Sequence, residues 1–409
     1  MLLAPEGDPD APDIPTPRSY AEAIEGPYSS QWQAAMDAEM ASWKSTGTYV
    51  DEVPPPGANI VSGMWIFRVK RPPGSPPVFK ARYVARGFSQ RQGVDFFHTF
   101  SPTLKMTTLW VLLHVAAQRD YEQHSLDLST AFLQGSLHEE IWLRHPPGFA
   151  GSFPAGTQWS LRRPVYGLRQ APREWHDTLR TTLAALGFAP STADPSLILR
   201  TDTTLPLFYV LVYVYDLVFA IADTEALAHV KSELQKRHTC TDLGELTSYL
   251  GLRITRDRAQ RTITLTQSDM VQQVLQRFGF TTSGMGLVLG GRARVVLTGH
   301  ADASWELRWL TYLLTDLGEA PRSPPVLYVY NKAMLALCQE HRLEHKMKHI
   351  ALRYFLAREL QQHGQLCLAY LASQANTADV FTKALPPCDH QRFCTVLGLV
   401  PTVPHLLTS

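Results

Sequence analysis

Two carboxylates carried by apolar strands are the residues of this chain best suited to chemistry. From Leu207 to Ala222 the sequence runs LFYVLVYVYDLVFAIA, and Asp216 is its only charge. Desolvating a lone carboxylate in such surroundings is costly unless it meets a metal or a strong donor. The second, Asp127, stands in HSLDLSTAFLQG, at the end of another short apolar stretch and ahead of small residues and Phe132. Either segment alone reads as core that holds one polar residue. Together they suit metal-dependent phosphoryl or nucleotidyl transfer. Mg²⁺ takes octahedral oxygen ligands, commonly one or two carboxylates plus substrate phosphates. A pair of such ions activates the attacking hydroxyl and stabilises the leaving oxygen.

The elements that must position these groups are legible in outline. β-Branched and aromatic residues dominate 207–222, which favours two short strands turning near Tyr215 and Asp216 over a helix or a membrane span. Trp32, Met36, Met40 and Trp43 share one face of a helix that Ser29 or Ser30 can cap. VPPPG at 53–57 and PPGSPP at 72–77 mark turns, the second the tip of a hairpin. Helices are expected near Thr107–Arg119, through Trp175, Leu179, Leu183 and Leu186 after Pro172, and through Leu227, Val230 and Leu234. A second hairpin is expected over Leu250–Arg256 and Thr262–Gln267, then a helix to Phe278. This alternation predicts an α+β protein.

Charge is local rather than global. The 409 residues carry a net charge of +1 and are 45% hydrophobic, enough for two or three domains with ample core. Between Val53 and Val94 there is no acid, whereas Arg68, Lys70, Arg71, Lys80, Arg82, Arg86 and Arg91 are all basic. Ile141 to Arg173 is a second acid-free stretch, with Arg144, Arg162, Arg163, Arg169 and Arg173. One such stripe alone reads as a solvated face; two suit a phosphate backbone. The start, MLLAPEGDPDAPDIP, lacks the basic and apolar regions of a secretory signal, and five cysteines form no Cys-x-x-Cys pair. An intracellular location without membrane contact is expected.

Several collinear stretches give a specific resemblance. They include KARYVARGFSQRQGVDFFHTFSP (80–102), LDLSTAFLQGSLHEEIWLRHPPGF (126–149), VYGLRQAPREW (165–175), YVYDLVFA (213–220), DLGELTSYLGL (242–252), HADASW (300–305) and NTADVFTKAL (376–385). In these the chain resembles the polymerase region of copia-type retrotransposon polyproteins, a reverse transcriptase followed by part of a ribonuclease H. The resemblance implies a palm-and-fingers fold and a partial ribonuclease-H-like α/β module. It implies an RNA template, a DNA primer, deoxynucleoside triphosphates and two Mg²⁺ ions as partners. It places Asp127 and Asp216 among the metal ligands, Lys80 or Arg82 on the incoming triphosphate, and Phe132 beneath its sugar. Gly167 and Gln170 would support the template–nucleotide pair.

The departures from that family are equally specific. Its palm motif reads Tyr-Val-Asp-Asp, so Tyr213, Val214 and Asp216 match and Tyr215 replaces the first aspartate. A phenol with a pKa near 10 offers neither the charge nor the compact oxygens that Mg²⁺ takes. An impaired polymerase is expected, with a non-catalytic remnant that at most binds nucleic acid as the alternative. After Phe280 the family's thumb and connection have no counterpart. Of the ribonuclease H carboxylates, Asp302 and Asp379 match, the helix-borne glutamate is missing and Tyr330 replaces another aspartate. The expected organisation is a flexible segment 1–27, fingers and palm 28–280, a junction 281–299, an incomplete ribonuclease-H-like module 300–390 and a tail 391–409.

Overall fold

The run from Leu207 to Ala222 folds back on itself. The computed structural model describes residues 14–70, 75–202, 204–267, 285–290, 298–300, 304–329, 335, 351–372, 375–377, 385–397 and 399–401. Strands β10 (Phe208–Tyr213) and β11 (Asp216–Ile221) pair antiparallel across a turn at Val214 and Tyr215. They are central in a six-stranded sheet ordered β12 (Thr241–Glu245), β5 (Glu122–Asp127), β11, β10, β9 (Leu197–Arg200) and β8 (Phe188–Pro190). Every pairing in it is antiparallel.

Both faces of the central strands are buried, which is why their hydrophobicity runs unbroken instead of alternating. Phe208, Val210, Val212, Leu217, Phe219 and Ile221 share one core with Leu179 and Leu183 of helix α4 (Ala171–Ala185) and Leu227, Val230 and Leu234 of α5 (Thr224–Arg237). Tyr209, Leu211, Val218 and Ala220 belong to the other, with Leu109, Leu112 and Leu113 of α3 (Met106–Arg119).

A long hairpin, β3 (Gly63–Lys70) and β4 (Val78–Ala85), stands beside this sheet. Helix α2 (Ser29–Ser45) lies along it and buries Trp32, Met36, Met40 and Trp43, the four residues that define its apolar face. The Trp32 ring meets Phe79 edge-on at 4.7 Å. Neither Ser29 nor Ser30 caps the helix: Tyr28 occupies the cap position without a side-chain bond, and the Ser30 hydroxyl turns to Gln31. Of the segment expected to be flexible, 1–27, residues 14–27 are described. Ile14 is buried, and helix α1 (Tyr20–Glu25) is capped by Ser19. A smaller sheet, ordered β1 (Tyr49–Glu52), β7 (Gln158–Leu161), β6 (Trp142–Leu143), β2 (Ile60–Val61), closes the far side.

In the C-terminal third, strand pairing crosses the bounds expected at 281–299 and 391. The second hairpin forms, as β14 (Leu252–Asp257) and β15 (Thr262–Thr266), and continues a sheet that starts at β13 (Ser248–Tyr249). That sheet then recruits β16 (Met285–Gly290) from the expected junction and β20 (Leu399–Pro401) from the expected tail. The helix expected up to Phe278 lies outside the described residues. A parallel sheet of β17 (Thr298–His300), β18 (Val326–Val329) and β19 (Cys367–Tyr370) is covered by helix α7 (Ala351–Gln362). Helix α8 (Pro387–Val396) precedes β20.

Helix α6 (Ser304–Asp316) serves both bodies. Its Leu307 packs with Leu327, Val329, Ala357 and Leu360, whereas Leu313, Leu314 and the following Leu317 enter the palm core beside Tyr209 and Val218. Among the described residues no helix is long and apolar enough to cross a membrane.

Candidate functional site

Register brings the two carboxylates together. Asp216, the first residue of β11, lies directly opposite Asp127, the last of β5. Directly opposed residues on neighbouring strands share one face of the sheet, with Cβ atoms about 4.5–5.5 Å apart. Thr241 flanks Asp127 on its other side, and the Ser129 hydroxyl donates to the Asp127 carboxylate at 3.3 Å. Burial, and after it the charge of Asp127, pushes the Asp216 carboxyl up to about 6.

That shift has a sign that can be tested. The ordinary carboxyl value is 3.8, so between about pH 4 and 6 the folded chain holds a proton on Asp216 that the unfolded chain has released. Stability from this group is therefore present at low pH and lost as pH rises towards 6. Asp216→Asn is expected to raise the urea midpoint at pH 7 and to leave it nearly unchanged at pH 4. An equal change at both pH values would exclude this assignment.

The hairpin tip is held in a strained shape by groups that local sequence does not mark. Val214 has φ of 55°, a left-handed conformation that β-branched residues rarely adopt. Its carbonyl accepts from the buried Trp175 indole, and the Tyr215 carbonyl accepts from the Leu128 N–H at 2.8 Å. The tip is thereby tied to α4 and to the end of β5. Tyr215 is 36% exposed on it, and partial desolvation followed by the Asp216 charge raises its phenol above the ordinary value. The phenol is therefore neutral across the physiological range.

A column of side chains joins the long hairpin to the carboxylates. Lys80 and Arg82 lie on one face of β4, alternating with buried Ala81 and Tyr83. The Arg82 guanidinium stacks on the Tyr166 ring at 4.5 Å, and that ring meets Phe132 edge-on at 4.8 Å. Phe132 is buried in the 3₁₀ turn that follows Asp127. Arg82 also acts electrostatically on the Tyr215 phenol, and Asp127 on the Lys80 ammonium. Partial burial, then the nearby Lys70 and Arg82 cations, lowers Lys80. Glu39 on α2, raised chiefly by its burial, feels both cations and accepts from the Trp43 indole at 3.1 Å. Tyr166, Trp175 and Glu39 are site residues that sequence reasoning missed, since nothing in their spacing links them to the two aspartates.

Gln170 and Gly167 make close contacts within the chain. Gln170 is fully buried, its amide donating to the Asp95 carbonyl at 2.8 Å and its oxygen accepting from Gln90 at 3.0 Å. It braces the loop that carries Gln90 and Asp95. Gly167 has φ of +92°, and a Cβ there would lie 2.0 Å from the Ala85 carbonyl oxygen. Its smallness lets the 166–170 segment approach β4, where the Ala85 N–H donates to the Tyr166 carbonyl at 2.8 Å. Asp302, Tyr330 and Asp379 lie outside the described residues.

Two opposed carboxylates facing cations can hold a phosphate-bearing ligand through one shared divalent ion. Among the described residues no group of three His, Cys, Asp or Glu side chains gathers to hold a metal.

Comparison with known proteins agrees with the sequence resemblance. The family profile described as "Reverse transcriptase (RNA-dependent DNA polymerase)" matches residues 48–287. The Retrovirus-related Pol polyprotein from transposon TNT 1-94 of Nicotiana tabacum is 34% identical over 263 residues, covering 64% of this chain and 20% of that protein. The corresponding polyprotein from transposon RE2 of Arabidopsis thaliana is 28% identical over 509 residues, covering 93% of this chain and 35% of that protein. The chain thus spans about a third or less of these curated relatives. The second alignment is longer than the chain's own 409 residues, so it crosses segments of the relative that have no counterpart here. A foamy viral protease-reverse transcriptase solved in complex with dsDNA is 12% identical, with a TM-score of 0.42 over 91% of this chain and 88% of that one.

Proposed function

Given that the chain belongs to the reverse transcriptase (RNA-dependent DNA polymerase) family, we propose that it is a retrotransposon-derived polymerase that still grips a primed template but is severely impaired in nucleotidyl transfer. The observation that carries this reading is Tyr215, a neutral phenol at the tip that presents Asp216 to Asp127. The family uses a divalent metal. In this chain Asp127 and Asp216 would hold one magnesium ion and not two.

The remaining residues keep recognisable tasks. Lys80 and Arg82 offer cations to the triphosphate of a deoxynucleotide, with Arg82 held against Tyr166. Phe132 supports the nucleotide's sugar from below Tyr166. The basic stripes take the phosphates of an RNA template and its DNA primer. The C-terminal body is read as a ribonuclease H remnant in which Asp302 and Asp379 remain, Tyr330 replaces a carboxylate, and the thumb and connection are lost.

A single preparation tests this. A labelled RNA template carrying a DNA primer should bind the full chain with an affinity that falls steeply as salt rises. In the same sample, Mg²⁺ and deoxynucleotides should give no extension above that of an Asp127→Asn control. Efficient extension that Asp127→Asn abolishes would overturn the impairment, and failure to bind at low salt would overturn the whole reading.

A further inference from the structure

His238 touches the supports of both segments that carry the carboxylates. It follows α5 directly, is buried, and donates its backbone N–H to the Leu234 carbonyl at 2.8 Å. Both nitrogens of its ring are engaged, each with a side chain remote in sequence.

One arm leads to Asp127. Gln134 ends the 3₁₀ turn after that residue, and its amide nitrogen donates to the Ser129 carbonyl at 2.7 Å and the Thr239 carbonyl at 3.1 Å. Its amide oxygen therefore faces the other way, 3.0 Å from the Thr239 N–H and 3.2 Å from His238 Nδ1. An amide oxygen only accepts, so Nδ1 carries the imidazole proton. Ser129, whose carbonyl Gln134 holds, is also the residue whose hydroxyl donates to the Asp127 carboxylate at 3.3 Å.

The other arm leads to Asp216. With the proton on Nδ1, Nε2 accepts from the Thr182 hydroxyl at 2.9 Å, which ties the ring to α4. Two turns earlier on that helix, the Trp175 ring meets the imidazole edge-on at 5.4 Å. The Trp175 indole in turn donates to the Val214 carbonyl, two residues before Asp216. Burial, followed by the Arg237 charge, lowers the His238 pKa and favours this neutral form. Pairing of β5 with β11 sets the register of the two aspartates. The turn after one and the tip before the other are fixed separately, and His238 joins those two fixtures.

We propose that His238 is a positioning residue for divalent-ion binding, setting through Gln134 and Trp175 the geometry in which Asp127 faces Asp216. The proposal rests on the single-ion reading above. Its probe is Mn²⁺, with binding to the full chain followed by electron paramagnetic resonance and the carboxylate site identified by its loss in Asp127→Asn. His238→Phe keeps a ring beside Trp175 but loses both hydrogen bonds, and should weaken Mn²⁺ binding at that site by about tenfold, as loss of a group supporting metal ligands does. Gln134→Met should do the same, and the double variant should lose no more than either single one, because both act through one chain of contacts. His238→Asn, which can still donate to Gln134, should bind Mn²⁺ more tightly than His238→Phe. A lowered urea midpoint with unchanged Mn²⁺ affinity would make His238 a core residue only and overturn the proposal. Losses that multiply in the double variant, no recovery in His238→Asn, or Mn²⁺ binding indifferent to Asp127→Asn would overturn it too. Binding of primed template at low salt, measured on the same preparations, tests the polymerase reading separately and should be unchanged in these variants.

Discussion

Tyr215→Asp is expected to turn on Mg²⁺-dependent primer extension, by at least about a hundredfold over the unmodified chain. Removing one oxyanion-hole donor from an active site already costs about 10²–10³ in rate, and a missing metal ligand should weigh no less. The structure explains why one substitution can matter so much. Asp127 and Asp216 are already in register, and the tip is fixed by Trp175 and by the backbone of Leu128. A carboxylate at 215 would join a site that is otherwise assembled. It would also add a third negative charge beside Asp216, whose carboxyl already sits at about 6. The variant should therefore be less stable than the parent without a divalent ion and should gain thermal stability when Mg²⁺ is added. Tyr215→Asn separates charge from bulk, since it removes the ring without supplying a ligand. If Tyr215→Asn extends primers as well as Tyr215→Asp, obstruction by the ring is the defect. If the unmodified chain matches Tyr215→Asp, the phenol is no defect at all.

How much of this could be read beforehand depends on the range of the interaction. The hairpin at 207–222 and helices α2, α3, α4 and α5 follow from composition and periodicity, which are local. The pairing of Asp127 with Asp216 required a family resemblance, because spacing alone does not say which strands become neighbours. Gln170 and Gly167 were legible as special positions, but their reasons were not. Gln170 answers to Gln90 and Asp95, and Gly167 to a carbonyl in β4, all remote in sequence. Trp175 was read as the apolar face of a helix, which is true, yet its indole N–H also secures Val214. The C-terminal third was read least well for the same reason. An amphipathic pattern such as that of α6 announces a buried face without naming what buries it.

A large stability effect is expected at that helix. Leu313→Ala should destabilise the protein by about 2–5 kcal/mol, as deletion of a fully buried leucine from a core does. Leu313 is completely buried, and Leu314 and Leu317 nearly so, in the core that also holds Tyr209, Leu211 and Val218. Polar ties fix the helix in place. The Tyr209 hydroxyl donates to the Leu317 carbonyl at 2.8 Å, and the Trp309 indole to the Ala193 carbonyl at 2.8 Å. The Asp316 carboxylate accepts from the Ser191 hydroxyl at 2.5 Å and from the Thr192 N–H at 3.1 Å. Arg119 pairs with Glu319, and Lys105 lies over the Trp309 ring at 4.5 Å. A helix that follows the expected junction therefore covers one face of the strands that carry the carboxylates, the face to which Val218 and Ala220 belong. Leu307→Ala supplies the contrast, because Leu307 packs with Leu327 and Leu360 in the parallel-sheet body. In denaturant titrations, Leu313→Ala should lower the stability of the unit that carries Asp127 and Asp216, whereas Leu307→Ala should leave that unit nearly unchanged. A cost below about 1 kcal/mol for Leu313→Ala, well short of that for a core leucine, would show that α6 merely rests on the palm. A full cost would mean that the polymerase body of this chain has come to depend on a helix from beyond its own boundary.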